Sequence, residues 1–244
     1  MTAPHPGVRA RRVVTTRTGG ASAPPYDSFN LGDHVGDDPA AVAANRQRLA
    51  KVIGLPTERF VWMEQIHSRN VTVVDGPVTE PVAATDALVT TATGLALVAL
   101  SADCVSVLLS DEEAGVVAAA HAGRIGARIG IIPRVLDAMI ALGARADRIG
   151  AFLGPAASGR RYEVPAAMRD DVETHLPGSA TRTVEGTAGL DLRAGLRRQL
   201  IEHGVAAVAE DPRCTIEDPT LFSHRRGAPT GRLASVIWLE EVSQ

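Results

Sequence analysis

Cys104 and His121 bracket two apolar runs, Val105–Leu109 and Val116–Ala120, with a polar piece ending in Gly115 between them. Such a pattern predicts an antiparallel hairpin. Its centre falls near Glu112–Glu113, so Cys104 and His121 face each other across it, or lie diagonally if the register shifts by one residue. Their Cβ atoms then sit roughly 5–8 Å apart, within reach of a shared metal ion or of a direct Cys–His contact. His67, in "WMEQIHS", offers a third donor. One Cys with two His is the donor set of an open zinc site, whose fourth position is left to water or substrate. The same imidazole and thiolate donors also accept copper. Spacing alone does not bring His67 to the other two. The plainer readings stay open: a buried Cys is ordinarily a small core side chain, and a His at a strand end ordinarily bonds to a loop.

A second signal lies on the first helix, Pro39 to about Ile53. Val42, Leu49 and Ile53 mark its apolar stripe, and Asn45 and Arg46 fall on the same stripe. A guanidinium on a buried face needs an anion. That anion is either an internal carboxylate or a phosphate or polar substrate. "TTRTGGAS" could position Arg17, but it lacks the lysine and spacing of a phosphate-binding P-loop. "LFSHRRGAPTGR" carries Arg225, Arg226 and Arg232 near the last strand, as an anion site or a surface turn. No Gly-x-Ser-x-Gly, His-Glu-x-x-His or Gly-x-Gly-x-x-Gly motif occurs.

The elements that must position these residues are readable. Strands are expected at Arg12–Thr16, Phe60–Met63, Val71–Val74, Asp86–Val89, Leu95–Leu100, Val105–Leu109, Val116–Ala120, Ile149–Leu153, Val205–Ala209 and Leu233–Leu239. Several are apolar on both faces, as strands covered on both sides are. The first helix has Asp37 or Asp38 as N-cap, Pro39 in its first turn and Gly54 as C-cap. A second lies within Ala127–Leu142 and should break or start late at Pro133. Two more span Ala166–Leu176 and Leu192–His203. Hairpins interleaved with helices predict an α+β fold of layered sheets. No linker divides the 244 residues, so a single domain is expected, with residues 1–11 as a flexible tail.

Composition narrows the function. A net charge of −3 argues against a general nucleic-acid binder. Two distant cysteines make no disulfide framework and suit a reducing compartment. No secretory signal is readable, and "TGLALVALSADCVSVLL" is interrupted by Asp103, so it reads as two buried strands rather than a membrane span. A soluble cytoplasmic protein is expected. With 3% aromatic residues, its core must be built from Ala, Val, Leu and Ile.

Taken in order, "TTRTGGAS", "PYDSFNLGDHVGDDPAAVAANRQRLA", "WMEQIHS", "TDALVT", "SADCVSVLL", "AAAHAG", "GPAASGRRYEV", "DLRAGLRRQL" and "CTIEDPTLFSHRR" resemble the YfiH-type laccase-domain family, also called the polyphenol oxidoreductase or peptidoglycan-editing-factor family. The resemblance runs from about Arg12 to Leu239. It implies a four-layer α/β/β/α sandwich of mixed sheets, related to bacterial toxin deamidases with a Cys–His site. It implies a metal site, Zn2+ with Cu2+ as a further option, held by His67, Cys104 and His121. It also implies phosphorolysis of adenosine, inosine and methylthioadenosine, and deamination of adenosine. The substrates would be a purine nucleoside and phosphate, with His67, Cys104 and His121 catalytic, Arg46 on phosphate and Gln65 near the substrate.

Three rival readings accompany it. Cys104 and His121 could form an amidase that edits peptidoglycan precursors. The chain could bind a nucleoside or a protein partner without catalysis. Multicopper oxidation, which the laccase name suggests, fits poorly with seven His and no His-x-His. Departures from the family pattern bear on substrate choice. "HAGRIG" places Arg124 at the usual Trp and Ile125 at the usual Arg, Ser106 stands where Pro is common, and His224 where Tyr is common.

Overall fold

The structure is a computed structural model that describes residues 7–242. Its strands are β1 Val8–Val14, β2 Phe60–Val61, β3 Val71–Val73, β4 Ala87–Thr90, β5 Ala96–Ser101, β6 Val105–Asp111, β7 Val116–Ala122, β8 Gly150–Leu153, β9 Ala180–Arg182, β10 Ala188–Leu190, β11 Ala207–Glu210 and β12 Leu233–Glu241. Its α-helices are α1 Pro39–Ile53, α2 Arg124–Arg128, α3 Ile131–Ala141, α4 Ala166–His175 and α5 Leu192–Glu202.

Two mixed sheets lie face to face. One runs β1-β12-β5-β2 and the other β11-β8-β6-β7-β4-β3. Period-two alternation explains why both are apolar on two faces. Leu108, Leu88, Val117 and Ala119 of the larger sheet meet Leu97, Ala99, Ile237 and Leu239 of the smaller. Their neighbours one residue along point outward. Ala96, Val98, Leu100 and Val236 pack under Leu49 and Ala50 of α1. Val107, Leu109, Ala118 and Ala120 pack under Ile132, Val135 and Met139 of α3 and Leu196 and Leu200 of α5. The layers therefore read α/β/β/α, as expected.

The α1 ends follow from sequence. Asp38 accepts from the Ala40 N–H at 2.9 Å, and Gly54 closes the helix in the left-handed region at φ 81°. The second helix differs from expectation. It is split into α2 and α3 at Gly130, with φ 86°. Pro133 then sits in the first turn of α3, where a missing N–H breaks no helical bond.

The flexible tail expected at residues 1–11 is corrected for Val8–Arg11. These residues belong to β1 and pair with β12, Val8 opposite Glu241 and Arg11 opposite Trp238. The charges that suggested a tail are those of an edge strand. Arg11 bonds Glu240 at 2.7 Å, and the Arg12 guanidinium lies 4.7 Å over the Phe152 ring. Residues 1–6 of that segment fall outside the described residues. The hairpin β9–β10 is not apparent from sequence, because its strands are three residues each and only partly apolar.

The site-bearing hairpin forms with its register shifted one step. Asp111 pairs with Val116 and Ser106 with His121, so four residues make the turn and Gly115 takes φ 64°. Cys104 stands just beyond the ladder, diagonal to His121. Leu108 is buried at the contact of the two sheets. Leu108→Ala should lower stability by about 2–5 kcal/mol, seen as a lower denaturant midpoint at an unchanged slope.

Candidate metal centre and active site

His67 lies on the loop after β2, and a single carboxylate shapes that loop. Asp86, fully buried at the start of β4, accepts the N–H groups of Ile66 at 3.2 Å, His67 at 3.0 Å and Ser68 at 2.6 Å, and the Ser68 hydroxyl at 2.7 Å. This collar holds His67 in the left-handed region, at φ 62°. Gln65 fixes the same loop from the other side. Its amide donates to the Leu100 carbonyl and accepts the Leu100 N–H, both at 2.8 Å. The loop is thereby tied to Leu100 near the end of β5, three residues before Asp103.

The Asp86 carboxylate also orients the second imidazole. Its Oδ1 accepts from His121 Nδ1 at 2.9 Å. That bond leaves the His121 Nε2 free to act as a base or ligand. The two imidazole rings meet edge to face with centroids 4.8 Å apart. Cys104 completes the group. Its Sγ lies 3.9 Å from His67 Nε2, and donor atoms of His67, Cys104 and His121 all fall within 4.8 Å of one another.

Two small residues make this approach possible. A Cβ on Gly123 would lie 2.7 Å from His67 Cδ2 and 3.1 Å from Cys104 Sγ. One on Gly126 would lie 2.8 Å from the Ser68 carbonyl. The "HAGRIG" glycines therefore let α2 start against the donor cluster. These residues fit a zinc ion: three N and S donors converge with one side open, and a carboxylate backs one of the imidazoles.

Electrostatics favour ionised groups here. Burial works against the Asp86 carboxylate, but its bonds from His121 and Ser68 hold it down at about 2. Burial pushes the Cys104 thiol up, and the adjoining His121 charge more than reverses this, so the thiol is lowered. Burial pushes His121 down, while Cys104 and Asp86 raise it overall. A metal ion would displace the His121 proton.

The donors open onto a cleft of about 290 Å³. His67 and Cys104 line it together with Tyr162, Arg124, Arg225 and Arg232. Asp103, at φ 98°, joins the walls. Its carboxylate accepts the Thr215 hydroxyl at 2.6 Å and the Arg225 N–H at 2.7 Å, so the loop carrying Arg225 is anchored beside Cys104. Burial lowers the Arg232 guanidinium, and Cys104 and Asp103 act the other way.

The structure brings together His67, Cys104 and His121. It does not bring Arg46 to them. The Arg46 guanidinium stacks on Trp62 at 3.8 Å, bonds the Leu31 carbonyl and pairs with Asp33 at 3.0 Å, beside a separate cavity of about 560 Å³. The internal carboxylate of the open alternatives is thus present. Gln65 is near the donors, but both ends of its amide are held by Leu100. Asn45, the other polar residue on the α1 stripe, is a buried hub that bonds Ser22, Asn30 and Ala21. Sequence reasoning assigned no role to Asp86. Its one signal was an acid placed directly before the buried strand in "TDALVT".

Asp86→Asn keeps the shape but removes the charge. Zinc affinity should fall roughly 10–100-fold, measured by competition with a chromophoric chelator. Because the folded carboxyl is depressed, its stabilisation is full above its ordinary value of 3.8 and lost as pH falls toward about 2. The variant's unfolding midpoint should vary less across that acid window than that of the unaltered protein.

Comparison with known proteins bears on the family and the fold. The sequence model of the family described as "multi-copper polyphenol oxidoreductase laccase" matches residues 11–240. A Mycobacterium tuberculosis protein named as a purine nucleoside phosphorylase is 61% identical over 233 residues, 96% of this chain and 93% of its own length. A Corynebacterium glutamicum protein of the same name is 61% identical over 231 residues, 94% of each chain. Among solved structures, the hypothetical protein YfiH of Bacillus licheniformis superposes with a TM-score of 0.88 at 30% identity, over 95% of this chain and 93% of its own. A Neisseria meningitidis protein of the DUF152 family does so with a TM-score of 0.84 at 36% identity, over 98% and 96%. From motifs, layers and relatives alike, the chain belongs to the laccase-domain family that includes the YfiH and DUF152 proteins.

Proposed function

We propose that this protein is a zinc-dependent purine nucleoside phosphorylase that also deaminates adenosine. The observation that carries the reading is the convergence of His67, Cys104 and His121 beside a cleft that arginines also line. Relatives named as purine nucleoside phosphorylases and covering nearly the whole chain support it. A bound zinc would supply Lewis-acid stabilisation of developing charge and a water of lowered pKa. The described residues hold one donor cluster of this kind, which suits a single ion rather than multicopper chemistry. The same donors suit copper. A reducing cytoplasm suits the two free cysteines.

In phosphorolysis, a phosphate oxygen forms a bond to C1′ of the ribose while the C1′–N9 bond breaks. The bonding pair leaves on N9, which takes a proton. Arg232, rather than Arg46, holds the phosphate, because it lines the cleft and is paired with no carboxylate among the described residues. Its NH1 is turned to the Thr230 and Gly231 carbonyls at 2.9 and 3.1 Å, which fixes the guanidinium. Tyr162 gives the purine an aromatic wall.

One observation favours a second reading. Cys104, His121 and Asp86 stand in the order nucleophile, base and orienting carboxylate. That arrangement serves amide hydrolysis, as in peptidoglycan precursor editing. Metal dependence separates the two. Under the phosphorylase reading, chelation abolishes activity. Under the amidase reading, activity survives chelation and is lost in Cys104→Ala.

Zinc-loaded protein with adenosine and phosphate should yield adenine and ribose 1-phosphate, and without phosphate inosine. Cys104→Ala should give neither. No product in either condition would sink the nucleoside reading. Arg232→Met should raise the KM for phosphate roughly tenfold or more, with a smaller change in the KM for nucleoside.

A further inference from the structure

Three connections run from Asp103 to the walls of the cleft. Its backbone carbonyl accepts the Ala157 N–H at 2.9 Å. Its carboxylate accepts the Thr215 hydroxyl through Oδ1 at 2.6 Å and the Arg225 N–H through Oδ2 at 2.7 Å. Ala157, Arg225 and Asp103 itself all line the cleft. The next residue along the chain is the thiol donor, Cys104.

Two of these connections meet at one feature. Ala157 leads into the turn that carries Tyr162, where the Ser158 carbonyl accepts the Tyr162 N–H at 2.9 Å. The Arg225 guanidinium carbon lies 5.0 Å from the centroid of the Tyr162 ring. Ring and cation thus come from two separate loops, and each loop is tied to Asp103. The Thr215 connection has a second support, since the Thr215 N–H also bonds the Ala156 carbonyl at 3.1 Å. The Arg225 N–H has Asp103 as its acceptor and no main-chain acceptor among the described residues. Asp103 holds this junction with its backbone at φ 98°, a region that favours glycine. Glycine there would be unstrained, but it would anchor neither Thr215 nor Arg225.

We propose that Asp103 is a positioning residue for nucleoside binding. By tethering the Tyr162 and Arg225 loops to the residue before Cys104, it sets the wall that the purine meets. The proposal rests on the nucleoside reading above and adds to it the residue that shapes the base-binding side. Asp103 acts on nucleoside affinity through Arg225 and Tyr162, not on the metal through Cys104. The anchor works by geometry rather than by charge. Asparagine at this position can still accept the Arg225 N–H through its amide oxygen and donate to the Thr215 hydroxyl oxygen through its amide nitrogen. It also tolerates positive φ better than most residues. Glycine suits the backbone and removes both side-chain bonds.

The test compares Asp103→Gly and Asp103→Asn with the unaltered full chain, all zinc-loaded. Three quantities are measured: adenosine affinity by titration calorimetry, zinc affinity by competition with a chromophoric chelator, and hydrogen exchange of the segment around Arg225. The glycine variant should bind adenosine roughly tenfold more weakly and exchange the Arg225 amide faster, with zinc affinity unchanged. The asparagine variant should restore both adenosine affinity and protection. In turnover, the loss should fall on the KM for adenosine more than on kcat. Arg225→Met should also weaken adenosine and should add little to Asp103→Gly, because both act on one wall. An adenosine affinity unchanged by glycine, a zinc affinity that falls in step with it, or an asparagine variant as weak as the glycine one would each overturn the proposal. If the unaltered zinc-loaded protein binds no adenosine, the nucleoside reading fails, and the exchange contrast between glycine and asparagine still decides whether Asp103 anchors the wall.

Discussion

The candidate site depends on one buried carboxylate. Asp86 gathers three consecutive N–H groups of the His67 loop and fixes His121 through Nδ1. Without an acceptor at that point, the loop would bury unpaired donors, at about 1–3 kcal/mol each. Burial of a lone carboxylate is itself unfavourable, so the collar and the carboxylate require each other. The consequence is geometric. Two histidines from distant stretches of chain are placed by the same pair of oxygens.

The layers then deliver the thiol. Cys104 follows β5, a strand of the smaller sheet, and opens β6, a strand of the larger. The chain crosses between sheets over Ala102–Cys104, and Asp103 absorbs the turn with φ 98°. A non-glycine residue held there is strained. Its side chain compensates by anchoring Thr215 and the Arg225 loop. The crossing that puts the thiol beside the imidazoles therefore also anchors the Arg225 loop at the same cleft.

Much of this was legible in the sequence, for physical reasons. The apolar runs at 95–100, 105–109 and 116–120 read as strands covered on both faces, and that implies layers. Hairpin spacing gave the Cys104–His121 proximity, off by one step because a four-residue turn with Gly115 replaced a shorter one. His67 could be joined to them only by resemblance. Its place comes from Asp86, and no local period records a bond between a loop and a strand that begins some twenty residues later. Arg46 shows the limit of reading a helix face. A cation on the buried stripe of α1 did imply a partner, but the partner is Asp33 with the Trp62 ring, not a ligand of the donor cluster. Periodicity tells that a side chain turns inward, not which cavity it reaches.

The same donors permit two chemistries, and what the His121 Nε2 meets separates them. Burial lowers His121, but Cys104 beside it and Asp86 on Nδ1 raise it overall. A protonated ring beside a thiol of lowered pKa is the arrangement of a Cys–His hydrolase, and the same ring is a ligand only after losing that proton. His67, Cys104 and His121 could hold a divalent cation, which would favour that loss by replacing the proton's charge beside the same thiol. The buried Asp86 then stabilises a ligating imidazole as it stabilised the imidazolium. Metal content rather than the fold therefore separates the two readings.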